Sequence, residues 1–273
     1  MPEGDTIHRA AARLAPALVG REIVRFEAQR VPPPWPKPGV VVVGAEARGK
    51  HLLVHFDDGW TLQTHMRMTG SWHLYRPGER WRKPRHLVRA LVEVGSAADG
   101  ADPEGWVAVC FSAPVVQLVR EPRTLHLGPD LCTPDADLDE AVRRMGAIDP
   151  STLVVDVLLD QRICCGVGNV YKSEVLFALR LHPLTPIGAV EPAERRRMVE
   201  TAARQLRANL TTSSRTTVAG PPGTLAVYGR QREPCRRCGT PIAWSRTGSQ
   251  ARGTYWCPQC QPGPRVGAAS PHS

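Results

Sequence analysis

Lysine is scarce in this chain. Lys37, Lys50, Lys83 and Lys172 are the only ones among 35 basic residues, so nearly every positive charge is an arginine. That bias reads as the mark of a GC-rich genome rather than of function, and it makes each lysine conspicuous. Long apolar runs are missing too. No stretch approaches the roughly 20 residues a membrane-spanning helix requires, so no membrane partner is expected. The opening MPEGDTIHRAAARL carries acids early and lacks an apolar h-region, so no secretory signal is expected and the expected location is cytoplasmic, at the nucleoid. No internal repeat is visible, which sets aside a repeat architecture.

What is present points to a polyanion. The net charge is +9 and the sequence pI is about 9.5. Neutralising phosphates releases condensed counterions, so this balance favours nucleic acid. Many basic proteins bind none, so charge alone does not decide. The length of 273 residues suffices for two domains with separate cores.

Short β-branched or alternating runs at 23–26, 40–43, 51–56, 61–66, 88–94 and 106–111 follow a helical pattern over 5–19, where Asp5 or Thr6 is available as a cap. Turn signals such as Asp57-Asp58-Gly59 separate them, and the segment 95–105 reads as a long hairpin connection. Six or more strands of this kind predict a β-sandwich. From about residue 129 helical periodicity takes over, at 138–145, 152–161, 169–180 and 192–210, and 211–224 reads as a loop. The expected fold is therefore α+β and multi-domain. An N-terminal β-sandwich catalytic domain with a flanking N-terminal helix occupies 1–128, a helical domain 129–230, a cysteine-bearing hairpin 231–262, and a disordered tail 263–273.

Cys235, Cys238, Cys257 and Cys260 form two CxxC pairs with the spacing of a four-thiolate structural zinc site. Each knuckle puts two thiolates on one side of a tight turn, and Pro241 to Ser245 and Gly253 to Trp256 read as the strands between. Four cysteine ligands leave no open position, so the implied Zn2+ is structural. Unpaired thiols or a redox pair are the bland alternative. Arg230, Arg232, Arg236, Arg237, Arg246 and Arg252 surround the knuckles against Glu233 alone, a charge suited to a nucleic-acid backbone. Cys110, Cys132, Cys164 and Cys165 lack ligand spacing and read as small buried hydrophobes.

Residues 158–183, LLDQRICCGVGNVYKSEVLFALRLHP, read as a helix ending near Gln161, a Gly166-Val167-Gly168 turn, and a second helix capped by Asn169. Helix N-termini bind phosphate, yet a GxGN turn alone is usually an ordinary helix–turn–helix. Lys172 reads as a solvated helix charge. At the N-terminus, removal of Met1 would leave Pro2 as a free secondary amine. An α-amine has a pKa near 7.7–8.0, so a useful fraction is unprotonated at neutral pH. Such an amine attacking a sugar C1′ yields an iminium directly, with Glu3 adjacent as acid or base.

Four separated motifs in order, Pro2-Glu3-Gly4, Arg48 to Leu53, the 158–183 string and the cysteine pairs, make the chain resemble the formamidopyrimidine-DNA glycosylase / endonuclease VIII family over nearly its whole length. The resemblance implies a base-excision repair DNA glycosylase with abasic-site lyase activity, a helix–two-turns–helix element and a zinc finger. It implies that Pro2 forms a Schiff base with the sugar, that Glu3 donates a proton, and that Lys50 contacts phosphate and assists as an acid. Successive β- and δ-elimination would follow. Arg252 matches the zinc-finger arginine at the lesion phosphate, and Asn169 would grip the backbone beside it. His65 to Gly70 aligns with the intercalation loop, with Arg67, Met68 and Thr69 as the residues that fill the space of an extruded base; Met68 as a core residue is the alternative.

The oxidised-purine branch carries a consecutive Asp-Pro-Arg-Arg-Phe where this chain has Phe111 to Gln117 without it, and the loop 211–228 is short. Both absences point to the endonuclease VIII branch, with oxidised pyrimidines and abasic sites as substrates. One departure is Asp5-Thr6 where endonuclease VIII often has Pro-Glu, which leaves Glu3 as the clearest acid and bears on lesion preference rather than on the lyase chemistry. The implied partner is double-stranded DNA containing damaged bases or abasic sites, bound by a monomer. The competing readings are an oxidised-purine glycosylase and, in another class, a non-catalytic damaged-DNA binding protein.

Overall fold

A computed structural model describes residues 2–97, 100 and 102–265. Met1, part of the 95–105 connection, and residues 266–273 of the expected tail lie outside the described residues. The chain forms two compact units, Met1–Leu125 and His126–Ser273. No described helix is long and apolar enough to cross a membrane.

The first unit opens with helix α1, Gly4–Leu18. Its Ile7, Ala11, Leu14 and Leu18 recur at helical spacing and are buried, each large side chain contributing about 1.5–3 kcal/mol. Eight strands follow among the described residues: β1 Ile23–Glu27, β2 Val42–Arg48, β3 His51–Phe56, β4 Thr61–His65, β5 Ser71–Tyr75, β6 Val88–Val94, β7 Trp106–Phe111 and β8 Val115–Val119. They make two antiparallel four-stranded sheets, ordered β1-β6-β7-β5 and β2-β3-β4-β8. Leu52, Val54 and Leu62 from one sheet share a core with Ala90, Val92, Ala108 and Cys110 from the other, and the buried face of α1 joins it. The expected sandwich with its flanking helix is present.

Two strands were not legible in the sequence. Val115–Val119 is half-buried at every position, so it has no alternation to read. Ser71–Tyr75 mixes Ser and His with aromatics directly after a tight turn. The cap of α1 also differs from expectation. Glu3 occupies the N-cap position, and its side chain does not cap the helix, while Asp5 is buried inside the first turn.

Among its described residues the second unit packs four α-helices: α2 Leu138–Gly146, α3 Val154–Leu159, α4 Asn169–Ala178 and α5 Pro192–Arg207. Local chemistry sets their starts. The Asp137 carboxylate accepts from Glu140 N at 2.8 Å to cap α2, and Glu191 with Glu194 forms a capping box ahead of α5, with Pro192 in the first turn. Helix α4 is buried from Val170 to Phe177, so its polar side chains must find partners inside the protein. Beyond α5, β9 Ala243–Thr247 and β10 Arg252–Trp256 pair antiparallel. Cys110, Cys132, Cys164 and Cys165 are buried, as expected.

Candidate nucleic-acid interface and N-terminal site

In the first unit, Pro2 is half-buried and Glu3 is 1% exposed. The Glu3 carbonyl accepts from Thr6 N at 2.9 Å and Ile7 N at 3.2 Å, which ties the N-terminal residues to the start of α1. Lys50 sits with Gly49 in the two-residue turn joining β2 to β3, closed by the Arg48–His51 pair. Gly49 has φ +58°, the left-handed conformation such a turn demands.

The neighbouring ladder places His65 opposite His51, with the two rings 5.0 Å apart, edge to face. Burial first, then the charges of His51, Lys50 and Arg67, push His65 down to about 4. Its neutral Nδ1 accepts from Arg67 N at 3.1 Å. Arg67 is thereby held at φ +44°, and the chain turns out to solvent at Met68. Met68 is 64% exposed, whereas Met66 is buried, so Met68 is no core residue. Thr69 Oγ1 donates to the Ser112 carbonyl at 2.9 Å. Gly70 closes the turn because a Cβ there would lie 2.7 Å from the Met66 backbone. The sequence places His65 at the head of the loop but gives it no role of its own; its hold on Arg67 depends on a hydrogen bond that only the fold reveals.

In the second unit, Asn169 and the β10 strand come together. Asn169 is the first residue of α4 rather than its cap, which is Gly168, and this corrects the sequence expectation. Its Nδ2 donates to the Gly253 carbonyl at 3.0 Å, joining the helix start to the residue beside Arg252. Arg252 is exposed on the hairpin. Lys172 is a second correction, since it is fully buried and not solvated. Its Nζ donates to Thr254 Oγ1 at 2.7 Å, Asn169 Oδ1 at 3.0 Å and the Gly253 carbonyl at 3.3 Å. Glu174, two residues further along, is buried as well. Its carboxylate accepts from three successive backbone amides, Ala226 at 2.8 Å, Val227 at 2.9 Å and Tyr228 at 2.8 Å, and from the Thr217 hydroxyl.

The four cysteines converge, with all ligand atoms within 4.8 Å of one another. Zinc–sulfur bonds of about 2.3 Å in a tetrahedron separate the sulfurs by about 3.8 Å. Here Cys238 Sγ lies 3.5 Å from both Cys257 and Cys260, and Cys235 Sγ lies 3.9 Å from Cys260. Hydrogen bonding with Thr240 brings Cys238 down to about 6, whereas burial and the neighbouring thiols push Cys260 up to about 12. Four thiolates coexist here when a divalent cation offsets their repulsion. The donor set fits one structural zinc ion, which holds the hairpin and takes no part in bond breaking.

An N-terminal β-sandwich, a buried-helix turn and a four-cysteine hairpin define the architecture of a known class. Residues 1–103 match the formamidopyrimidine-DNA glycosylase N-terminal domain, 127–219 its H2TH domain, and 232–263 the zinc finger found in FPG and IleRS. The chain belongs to the formamidopyrimidine-DNA glycosylase / endonuclease VIII family. It is 42% identical to a probable endonuclease 8 2 of Streptomyces coelicolor, over 97% of this chain and 95% of that one. It is 36% identical to the DNA-(apurinic or apyrimidinic site) lyase Nei2 of Mycolicibacterium smegmatis, over 96% and 99% of the two chains. A formamidopyrimidine-DNA glycosylase of Methylococcus capsulatus is 33% identical, over 96% of this chain and the whole of that one. Among solved structures, the MutM (Fpg) protein of Thermus thermophilus matches with a TM-score of 0.74 at 25% identity, covering 95% of this chain and 98% of that one.

Proposed function

We propose that this protein is a base-excision repair DNA glycosylase with abasic-site lyase activity, which removes oxidised pyrimidines from double-stranded DNA. The observation that carries this reading is the end-to-end likeness to proteins named endonuclease 8 and abasic-site lyase, joined to Pro2 and buried Glu3 at the start of α1.

The Pro2 nitrogen, free once Met1 is removed, attacks C1′ of the damaged nucleotide. The C1′–base bond breaks and Glu3 supplies a proton as the sugar ring opens. The resulting iminium makes the C2′ proton acidic; its loss to solvent breaks the C3′–O bond and releases the 3′ phosphate by β-elimination. Loss of a C4′ proton then breaks the C5′–O bond and releases the 5′ phosphate by δ-elimination, and water hydrolyses the imine to free Pro2. Lys50, in its rigid two-residue turn, contacts phosphate and assists as an acid. Asn169 and Arg252 hold the backbone at the lesion. Arg67, Met68 and Thr69 fill the space left by the extruded base; the exposure of Met68 and the His65 bond to Arg67 support that role. The division of labour follows the chain: catalysis in 1–128, backbone binding in 129–230 and 231–262. One monomer serves one lesion, at the nucleoid. A second reading, an oxidised-purine glycosylase, draws support from relatives named formamidopyrimidine-DNA glycosylase.

Borohydride trapping on an oligonucleotide with a single abasic site tests the mechanism. Protein whose intact mass confirms loss of Met1 is expected to form a covalent adduct. Pro2→Gly is expected to lose it while keeping its zinc. A missing adduct from protein with a free Pro2 would leave a non-catalytic damaged-DNA binding protein. Duplexes carrying one defined oxidised pyrimidine or purine separate the two lesion classes.

A further inference from the structure

Arg252 lies between two places where the zinc hairpin is fastened to the helices of its own unit. On one side, the Asp156 carboxylate of α3 accepts from Ser249 N at 2.9 and 3.0 Å and from Ser249 Oγ at 3.0 Å. Gly248 makes room for that contact, for a Cβ there would stand 2.4 Å from Asp156 Oδ1. On the other side, Lys172 of α4 reaches Thr254 Oγ1 and the Gly253 carbonyl. Gly253 again is a position of close approach, where a Cβ would meet Trp244 Nε1 at 2.9 Å. Thr254 Oγ1 in turn lies 3.2 Å from the Arg252 carbonyl.

Lys172 also governs Asn169. Its ammonium donates to Asn169 Oδ1 while Asn169 Nδ2 donates to the Gly253 carbonyl. An amide turned the other way would set its NH2 against the ammonium and its oxygen against a carbonyl, two repulsive contacts. The lysine thus fixes which way the amide points. It holds the Asn169 donors toward the Arg252 side of the hairpin.

We propose that Lys172 and Asp156 are positioning residues that brace the zinc hairpin on both sides of Arg252, so that Arg252 and the Asn169 amide act as one phosphate clamp. The proposal rests on reading those two residues as DNA-phosphate ligands. The brace acts through Arg252 and Asn169 and leaves the reacting C1′ to other groups, so it governs substrate affinity rather than the chemical step.

The test uses the full zinc-loaded chain on a duplex with one abasic site. Lys172→Met is expected to raise KM about tenfold, the worth of a buried charge-assisted bond, with kcat within about twofold. Its dependence of log affinity on log salt should be shallower by about 0.9 for each phosphate no longer neutralised. Its effect should be non-additive with that of Arg252→Ala, and Lys172→Arg should recover most of the affinity. A reduced slope for Arg252→Ala with an unchanged slope and KM for zinc-replete Lys172→Met overturns the brace alone. An unchanged slope for Arg252→Ala overturns the phosphate reading and the brace with it. Should Lys172→Met fail to hold zinc, Asp156→Asn carries the same test from the exposed side. Additivity of Asp156→Asn with Arg252→Ala in zinc-replete protein overturns the proposal.

Discussion

His65 shows how one ring can be tuned by its neighbours. Folding lowers its affinity for a proton, to a pKa of about 4, through burial and the adjoining positive charges. The unfolded chain therefore binds the proton first, and stability rises with pH across that interval. The contribution is full above about pH 6.5 and is lost as pH falls toward 4. For a half-buried ring, screened by solvent, we expect about 1–2 kcal/mol. Urea midpoints at pH 4.5 and pH 7 measure it. His65→Asn keeps an acceptor for Arg67 N and should flatten the difference. At this scale the sequence was a partial guide. The four cysteines were legible because their spacing is local, whereas Pro2 and Glu3 stand out only through the family resemblance, for the opening MPEG is by itself unremarkable. Lys172 was misread, although a signal was there: α4 has apolar residues on every side, Val170, Tyr171, Val175, Leu176 and Phe177. A helix without a polar face has no solvent side on which to leave a lysine.

Among the elements, α4 carries the most consequences. It binds the zinc hairpin through Lys172 and the segment before it through Glu174. The Glu174 carboxylate gathers the amides of residues 226–228 much as a phosphate would be gathered. Glu174→Gln replaces one oxygen with an amide that faces a donor. We expect a loss of about 3 kcal/mol, because hydrogen bonds to a buried charge are the costly ones to break. Faster hydrogen exchange at the amides of 226–228 is the accompanying readout. The strands His51–Phe56, Val88–Val94 and Trp106–Phe111 could be read from their apolar runs. Val115–Val119 could not, for an edge strand half-buried throughout carries no periodic signal. The Asn169 cap was misassigned for a related reason. Asn is a good cap by propensity, but here its side chain is drawn to Gly253, which lies 84 residues further along the chain.

For the whole molecule, a net charge of +9 makes DNA affinity a function of salt. With 6–10 phosphate contacts, affinity falls by roughly 10³–10⁵ between 50 and 200 mM salt. Removing zinc withdraws Arg252 and its basic neighbours, because two five-residue strands do not hold together alone. Chelated protein is therefore expected to bind more weakly and with a shallower salt dependence, measured by titration with and without restored zinc. The segment between α5 and the hairpin is fastened at both ends. Asn209 binds Thr216 through Oδ1 and Nδ2, at 2.8 and 3.0 Å, and Glu174 holds 226–228. Between those fixings, added residues cost little closure entropy, about 0.6 kcal/mol for each doubling of length. Residues 219–223, exposed throughout, are thus where the segment can lengthen while the hairpin beyond it keeps its place.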